Sequence, residues 1–293
     1  MDNHSSFQER RWTSRDGLSL YARDYPAAGE PSGLPVICLH GLTRNSRDFE
    51  DLAPILAAEG RRIIAPDVRG RGLSERSANP ARYQPAIYAR DIAALLDQEG
   101  IERAIFIGTS MGGLITIALA ARRLRNIAGA ILNEAGPDID PRGIERILSY
   151  AGRGGPFPNW QDAVGYVRDV NVVAFPDLED DDWRRLADRL FHEESNGQIV
   201  ADCDPAIADV LSRRPPRLAK PLAHWLFRRL ARKRPTLLIR GALSDVITAP
   251  IAARMKMAAP QLSEAVVPGV GHAPMLTEPA ALDAIRHFLA RLA

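Results

Sequence analysis

Cysteine is scarce in this chain, and long apolar runs are absent. Only two of the 293 residues are cysteines, and they match no C-x-x-C or zinc-site spacing. Cys38 lies within a short apolar run and Cys203 in an acidic segment, so the sequence predicts neither a disulfide framework nor a cysteine zinc site. We interpret both as reduced thiols. No stretch of 18 uncharged apolar residues occurs, so no transmembrane helix is predicted.

An excess of charge of either sign is also missing. The 38 basic and 36 acidic side chains give a formal charge of +2, without the basic excess of a nucleic-acid-binding domain. We therefore expect a small-molecule substrate and no nucleic acid or membrane partner. The first residues, MDNHSSFQERRWTSRDG, contain no apolar segment typical of a secretory signal, so a cytoplasmic location is expected. The sequence makes no prediction of the oligomeric state.

Short apolar runs alternate with segments of helical periodicity, which indicates repeated βα units on a mostly parallel sheet. The short turn Ser14–Gly17 is a hairpin signal that joins the first two strands, so the leading edge of the sheet is predicted to be antiparallel. The predicted strands cover residues 18–25, 35–40, 62–67, 104–109, 128–134, 235–240 and 262–267. The predicted covering helices are residues 48–59, 87–98, 113–124, 251–258 and 279–292.

The alternation stops at residue 137 and resumes at residue 235. The segment between them has helical patterns and no convincing strand pattern, which predicts a helical cap over the strand ends. The domain prediction is a core of residues 1–136 and 235–293 with a cap of residues 137–234. Eight aromatic residues of the cap could form pocket walls, and two or three are expected to contact substrate: Phe157, Trp160, Tyr166, Phe175, Trp183, Phe191, Trp225 and Phe227.

A G-x-S-x-G motif, residues 108–112, places Ser110 between a predicted strand and a predicted helix. That context is typical of a nucleophile elbow, in which the serine occupies a strained turn with its oxygen exposed. Side chains at Gly108 or Gly112 would collide with neighbouring backbone in such a turn. The alternative is a glycine-rich βα turn with a bystander serine.

A serine nucleophile needs a base, and the chain has six histidines. His272 lies in a loop between the last strand and the last helix, at the same sheet edge as Ser110, and is the favoured base. The competing histidines lie in a polar tail, a turn, the insertion or the final helix: His4, His40, His192, His224 and His287.

A carboxylate is then required to orient the histidine. Asp245, just after the predicted strand 235–240, gives the chain order serine, acid, histidine that is expected for this elbow. Glu134, at the end of the strand that follows the nucleophile helix, is the rival acid. We favour Asp245 on sequence grounds.

With these positions the sequence resembles the α/β-hydrolase superfamily, specifically its cap-bearing serine esterase, lactonase and carbon–carbon hydrolase branch. The resemblance extends over nearly the whole chain. Two further motifs support it: residues 39–42, LHGL, and residues 67–74, DVRGRGLS. It implies an α/β-hydrolase fold with a mostly parallel eight-stranded sheet, helices on both faces and a helical cap after the sixth strand.

The resemblance also implies an oxyanion hole formed by the backbone amides of Leu42 and Met111, shaped by the dipeptide His40-Gly41. Relatives with aspartate at the elbow open epoxides or displace halide, and serine at position 110 disfavours that route. Arg69 and Arg71 are expected at the surface or behind the substrate-contacting residues, and the DVRGRGLS stretch receives no catalytic role.

The sequence thus predicts a serine hydrolase that cleaves an ester or lactone of a small, largely apolar carboxylic acid. A carbon–carbon hydrolase acting on a vinylogous diketone would use the same residues and remains an alternative. A ligand sensor on a hydrolase scaffold is the alternative of another class. No P-loop, dinucleotide fingerprint or metal-ligand motif occurs, so no cofactor or metal is expected.

Overall fold

The computed structural model describes residues 7–151, 154–211 and 218–292, and all structural statements refer to these residues. Its strands are β1 (Gln8–Thr13), β2 (Ser19–Tyr25), β3 (Val36–Leu39), β4 (Ile63–Pro66), β5 (Ala104–Thr109), β6 (Ile127–Asn133), β7 (Phe191–Glu193), β8 (Ile199–Ala201), β9 (Thr236–Gly241) and β10 (Ser263–Val267).

The α-helices of the described ranges lie between these strands or after β10, with three in succession between β6 and β7. They are α1 (Leu52–Ala58), α2 (Pro85–Gln98), α3 (Met111–Arg123), α4 (Pro141–Tyr150), α5 (Trp160–Asn171), α6 (Asp180–Leu190), α7 (Ala206–Leu211), α8 (Ala219–Ala231), α9 (Ala249–Ala258) and α10 (Pro279–Ala290). Every strand and helix given a range in the sequence analysis is present, with bounds that differ by no more than four residues.

Eight strands form one sheet in the order β1-β2-β4-β3-β5-β6-β9-β10. The β1–β2 and β2–β4 pairs are antiparallel, and all other pairs are parallel. The predicted leading hairpin and mostly parallel sheet are therefore confirmed. The carboxyl ends of the parallel strands meet at one edge, where α/β sheets form their binding crevice.

Side chains of the central strands alternate between two apolar clusters, one on each face of the sheet. On β3, Ile37 and Leu39 join the cluster beneath α2, α3 and α9, whereas Val36 and Cys38 join the cluster beneath α1 and α10. A strand that is buried on both faces reads as a continuous apolar run, because each face needs every second residue. This packing fixes the strand ends from which the site is built.

The insertion after β6 forms a layer with its own core, in which Trp183 is almost fully buried beside Phe175 and Val167. It contains the antiparallel pair β7–β8, where only helices were expected. Each strand has three residues, too few for an alternation signal, and the connection turns at Gly197 with φ of 81°. Sequence periodicity therefore could not reveal it.

The last helix of the insertion, α8, packs against the core. Phe227 and Leu230 join the same cluster as α2 and α3. We propose a division into a core and a cap of residues 137–234. Helix α8 falls within the cap range, but it packs as part of the core. In the described ranges no helix is long and apolar enough to cross a membrane, and both cysteines are free thiols.

Candidate active site

Ser110 occupies the turn between β5 and α3 in a strained conformation, with φ of 51° and ψ of −108°. Non-glycine residues rarely adopt positive φ, at a cost of about 1–3 kcal/mol, and such residues concentrate at functional sites. The Ser110 amide donates to the Asn133 carbonyl oxygen at 2.8 Å, which closes the turn against β6. The serine therefore projects from the carboxyl edge of the sheet.

The two motif glycines are required by close backbone packing. A Cβ at Gly112 would lie 2.0 Å from the Leu39 carbonyl oxygen, and one at Gly108 would lie 2.5 Å from the backbone of Gly112. Both distances are far below contact distance, so no larger residue fits without moving backbone. This is the physical reason for the G-x-S-x-G spacing.

His272 follows β10 on a loop that is tied to the strand beside Ser110. The Asn133 side-chain amide donates to the Pro274 carbonyl oxygen at 2.8 Å and to Oγ1 of Thr109 at 3.1 Å. Ser110 and His272 line the same cavity, although no hydrogen bond joins them among the described residues. Such bonds are often long before substrate binds.

Glu134 is the carboxylate in contact with His272. Its Oε2 lies 3.4 Å from Nδ1 of His272, and its side chain is fully buried. The same carboxylate accepts hydrogen bonds from the Gly241 amide at 2.7 Å, from Oγ of Ser244 at 2.5 Å and from the Ile247 amide at 3.3 Å. These donors fix the position of the carboxylate beside the imidazole. Glu134 itself has φ of 54°.

Asp245 has a different partner. Its two carboxylate oxygens accept from Nε and Nη2 of Arg146 on α4, at 2.5 and 2.8 Å. This guanidinium holds the pKa of Asp245 below its usual value. No hydrogen bond between Asp245 and His272 is present in the described part of the chain. The structure thus brings Glu134 to the imidazole and connects Asp245 to the cap. The order of the residues along the chain did not reveal which of the two acids contacts His272.

The amides of Leu42 and Met111 lie on the loop after β3 and at the first residue of α3. Neither N–H donates to any acceptor within the described residues. Leu42 and Ser110 line one cavity, so Ser110 and two unused donors lie at one edge of the sheet. Unused main-chain donors at a helix start are suited to a developing negative charge.

His40 fixes the backbone beneath the Leu42 loop. It is fully buried, its Nδ1 lies 2.7 Å from the Gly41 carbonyl oxygen, and its Nε2 lies 3.0 Å from the Val68 amide. Only the neutral tautomer with a proton on Nδ1 satisfies both contacts, because Nε2 must accept. Burial lowers the pKa of His40 to about 4.

We expect the His40 imidazole to stay neutral at pH 5.5 in the folded protein. Long-range ¹H–¹⁵N spectra at that pH should show a neutral imidazole in the Nδ1–H tautomer whose signals disappear in His40→Asn. In urea-unfolded chain at the same pH, every histidine should be mainly protonated, because the ordinary histidine pKa is about 6.5. A His40 signal that titrates near pH 6.5 in folded protein would contradict this tautomer assignment.

The site opens into a cavity of about 400 Å³ between the sheet edge and the cap. Three of the eight cap aromatics named from the sequence line it: Tyr166, Phe175 and Phe191. Tyr150, at the end of α4, also lines the cavity and was missed, because it ends a segment whose pattern indicated only a helix. The walls combine apolar side chains with several charged ones.

The competing histidines have other surroundings. His192 pairs with Asp202, His224 contacts Asp138 at 3.1 Å, and His287 contacts the Asp283 carbonyl oxygen within α10. Of the histidines in the described ranges, His272 alone lines the cavity; His4 lies outside the described residues. No group of three His, Cys, Asp or Glu residues that could hold a metal ion occurs within residues 7–151, 154–211 and 218–292.

The sheet topology and the strained strand-to-helix turn at Ser110 are typical of one class of protein, the α/β hydrolases. Residues 36–285 match the model of the alpha/beta hydrolase family. The chain belongs to this family, and it is a hydrolase of the α/β fold.

Particular relatives are similar along most of their length. The chain is 32% identical over 266 residues to the 3-hydroxybutyrate-oligomer hydrolase of Cupriavidus necator, covering 89% of this chain and 90% of that protein. It is 26% identical over 245 residues to the 2-(acetamidomethylene)succinate hydrolase of Mesorhizobium japonicum, covering 82% of each. An α/β hydrolase from Novosphingobium aromaticivorans has a solved structure that is 42% identical, with a TM-score of 0.88 over 99% of this chain and 100% of that one.

Proposed function

We propose that this protein is a serine esterase that cleaves an ester bond of a short hydroxy acid oligomer, and that Ser110 is the nucleophile. The observation that carries the proposal is the strained position of Ser110 in a cavity that it shares with His272 and with the unused amide at Leu42. Each feature has a distinct task in acyl transfer. A bystander serine would have no reason to occupy a strained conformation at this edge.

Acylation begins with attack of Oγ of Ser110 on the ester carbonyl carbon, while Nε2 of His272 takes the hydroxyl proton. The carbonyl oxygen becomes an oxyanion and accepts hydrogen bonds from the amides of Leu42 and Met111. When the tetrahedral intermediate collapses, the carbon–oxygen bond to the alcohol breaks and His272 returns its proton to the departing oxygen. An acyl-Ser110 ester remains.

Deacylation repeats these steps with water as the nucleophile. His272 takes a proton from water, the hydroxide oxygen bonds to the acyl carbon, and the same two amides hold the second oxyanion. Collapse breaks the bond to Oγ of Ser110, which recovers the proton from His272. A carboxylic acid leaves, and no cofactor is consumed. A lactone follows the same route, with acid and alcohol leaving as one molecule.

Glu134 is the proposed carboxylate of the triad. Its contact with Nδ1 of His272 selects the tautomer whose Nε2 faces the serine, and its negative charge stabilises the imidazolium that forms during the reaction. Asp245, the acid favoured from sequence, is instead proposed to hold α4 of the cap through Arg146. The two roles predict very different effects of replacement.

Three arginines and two carboxylates line the cavity, and one of these arginines supports an anionic substrate. Arg44 is bound to Asp48, and Arg189 to Glu50 and Asp51. Arg76 also lines the cavity, and it has no ion pair within the described residues. A hydroxy acid oligomer carries one terminal carboxylate that an unpaired guanidinium can bind. The similarity to a 3-hydroxybutyrate-oligomer hydrolase supports the same substrate class.

We therefore expect hydrolysis of the linear dimer of 3-hydroxybutyrate, with kcat/KM about tenfold above that of the same dimer capped as a primary amide. One hydrogen bond to a charged group accounts for a factor of that size. Arg76→Gln should remove the preference by slowing only the free acid, and Arg90→Gln, which alters an exposed arginine of α2 outside the cavity, should preserve it. Steady-state kinetics with both dimers measures the ratio.

The same assays test the alternatives when a lactone and a vinylogous diketone are included. Cleavage of the diketone with all esters untouched would replace the esterase proposal by the carbon–carbon hydrolase. Folded protein that turns over none of these compounds would favour the ligand sensor. Equal rates on the free and capped dimers would contradict the role of Arg76 and leave the esterase chemistry in place.

A further inference from the structure

Arg71, in the DVRGRGLS stretch, is 1% exposed and has no carboxylate partner within the described residues. Its Nε donates to the Leu42 carbonyl oxygen at 2.9 Å, and its Nη2 lies 3.5 Å from Sδ of Met111. Nη1 donates to the Arg69 carbonyl oxygen and to the Tyr88 hydroxyl, both at 2.9 Å. The guanidinium also lies over the ring of Tyr88, 4.9 Å from its centroid.

Its neighbour Arg69 shows the usual arrangement for a buried guanidinium. Arg69 is equally buried, and it forms ion pairs with Asp91 and Asp16. Pairing offsets the large cost of removing an ion from water. Arg71 is buried two residues away, and its partners in the described part of the chain are dipoles and aromatic faces, so no ion pair there offsets the cost of burying it.

The Arg71 guanidinium lies between the two residues of the proposed oxyanion hole. One guanidinium touches both residues whose amides form the proposed oxyanion hole, although Leu42 lies on the loop after β3 and Met111 starts α3. The planar fork of arginine can hold two groups in fixed relative positions, which a single ammonium cannot do. A local positive charge also favours the negative oxygen that acyl transfer generates.

The loop that carries Arg71 is itself held by the cap. The Gly72 amide donates to the Asp202 carbonyl oxygen at 2.7 Å, and the Asp204 amide donates to the Gly70 carbonyl oxygen at 2.7 Å. Arg71 and Cys203 form an antiparallel bridge between these two bonds. The guanidinium therefore extends from a backbone that is fixed on both sides.

We infer that Arg71 is a positioning residue of the oxyanion hole, which holds Leu42 and Met111 at the spacing that the transition state requires. The inference rests on the proposed serine esterase function. It gives a role to a motif that the triad chemistry does not use. A purely structural buried arginine would contribute to folding and would leave the energy of the oxyanion unchanged.

Arg71→Met and Arg71→Lys are compared with wild type on p-nitrophenyl butyrate and on an alkyl trifluoromethyl ketone, which forms a tetrahedral adduct with a serine. For Arg71→Met we expect kcat to fall about 10²-fold with KM changed less than threefold, because an amide that is no longer held in position is a lost oxyanion donor, which typically costs that factor. The inhibition constant for the ketone should rise by a similar factor. Arg71→Lys should show about a tenfold loss in both, because one ammonium replaces only part of the fork.

Arg61→Met is the matched control. Arg61 is also buried and precedes β4 at the opposite end of the sheet, and within the described ranges it donates to the carbonyl oxygens of Leu34 and Leu289 without an ion pair. It should keep wild-type kcat and ketone affinity per folded molecule, which is counted by thermal melting and stoichiometric fluorophosphonate labelling. If Arg71→Met does not fold, Arg71→Lys decides the question.

Wild-type ketone affinity in the folded Arg71 variants would overturn the inference, even if their melting temperatures are low. An effect confined to KM would also overturn it. Failure of the underlying function is distinguishable, because wild-type protein would then neither bind the ketone nor react with fluorophosphonate at Ser110.

Discussion

Ser110→Ala is expected to lower kcat for ester hydrolysis by about 10⁴- to 10⁶-fold, and His272→Ala by a similar factor. Without Oγ there is no atom to accept the acyl group, and without the imidazole the hydroxyl proton has no acceptor. Because the two residues act as a unit, Ser110→Ala combined with His272→Ala should be no slower than either single variant. Steady-state kinetics, with background hydrolysis subtracted, measures these losses.

Both variants should remain folded. Ser110 lies in a strained turn whose glycines and hydrogen bond to Asn133 persist in the alanine variant, so circular dichroism and the melting temperature should be close to wild type. Ser244→Ala is an informative comparison outside the proton-transfer pair, because it removes one donor to Glu134 and should cost much less activity. A folded Ser110→Ala or His272→Ala variant that keeps a tenth of the activity would exclude that residue from its role.

The second large effect concerns the triad acid. Glu134→Gln should lower kcat by about 10³- to 10⁴-fold, since an amide at that position no longer selects the productive tautomer or stabilises the imidazolium. Asp245→Asn should lower kcat less than tenfold, because its carboxylate is bound to Arg146. Circular dichroism and the melting temperature of each variant separate a chemical role from a loss of folded protein.

Arg146→Met is the control for the pair. If Asp245 acts by holding α4, removal of either partner should produce the same small change in activity and in melting temperature, and the double variant should add little. A loss of kcat in folded Asp245→Asn that exceeds the loss in folded Glu134→Gln would return the triad role to Asp245.

Much of this fold is predictable from the sequence because strands buried on both faces and helices with one apolar face leave periodic patterns. The runs at residues 104–109 and 235–240 correspond to β5 and β9 for this reason. The hairpin β7–β8 leaves no such pattern, because three-residue strands are held by cross-strand bonds and by a turn at Gly197. The packing of α8 on α3 is likewise a matter of tertiary contact rather than of period.

The candidate site divides in the same way. Ser110 and its glycines follow from backbone sterics that any reader of the sequence can reconstruct, and the location of His272 follows from the chain order of the strands. The choice between Glu134 and Asp245 depends on which of the two carboxylates binds Arg146. The sequence does not show this, because nothing distinguishes Arg146 from the other arginines on helices. The burial of Arg71 without a counterion also has no sequence signal, because Arg69, two residues away and of the same residue type, is buried with two carboxylate partners.

The most direct test of the account is the intact mass of the protein after treatment with a fluorophosphonate, measured for wild type, Ser110→Ala and His272→Ala. Activated serines react with this probe by displacing fluoride from phosphorus, so the account predicts one adduct on wild type and none on either variant within the same time. A folded wild-type protein that remains unlabelled, or a Ser110→Ala protein that is still labelled, would contradict the claim that Ser110 is the nucleophile.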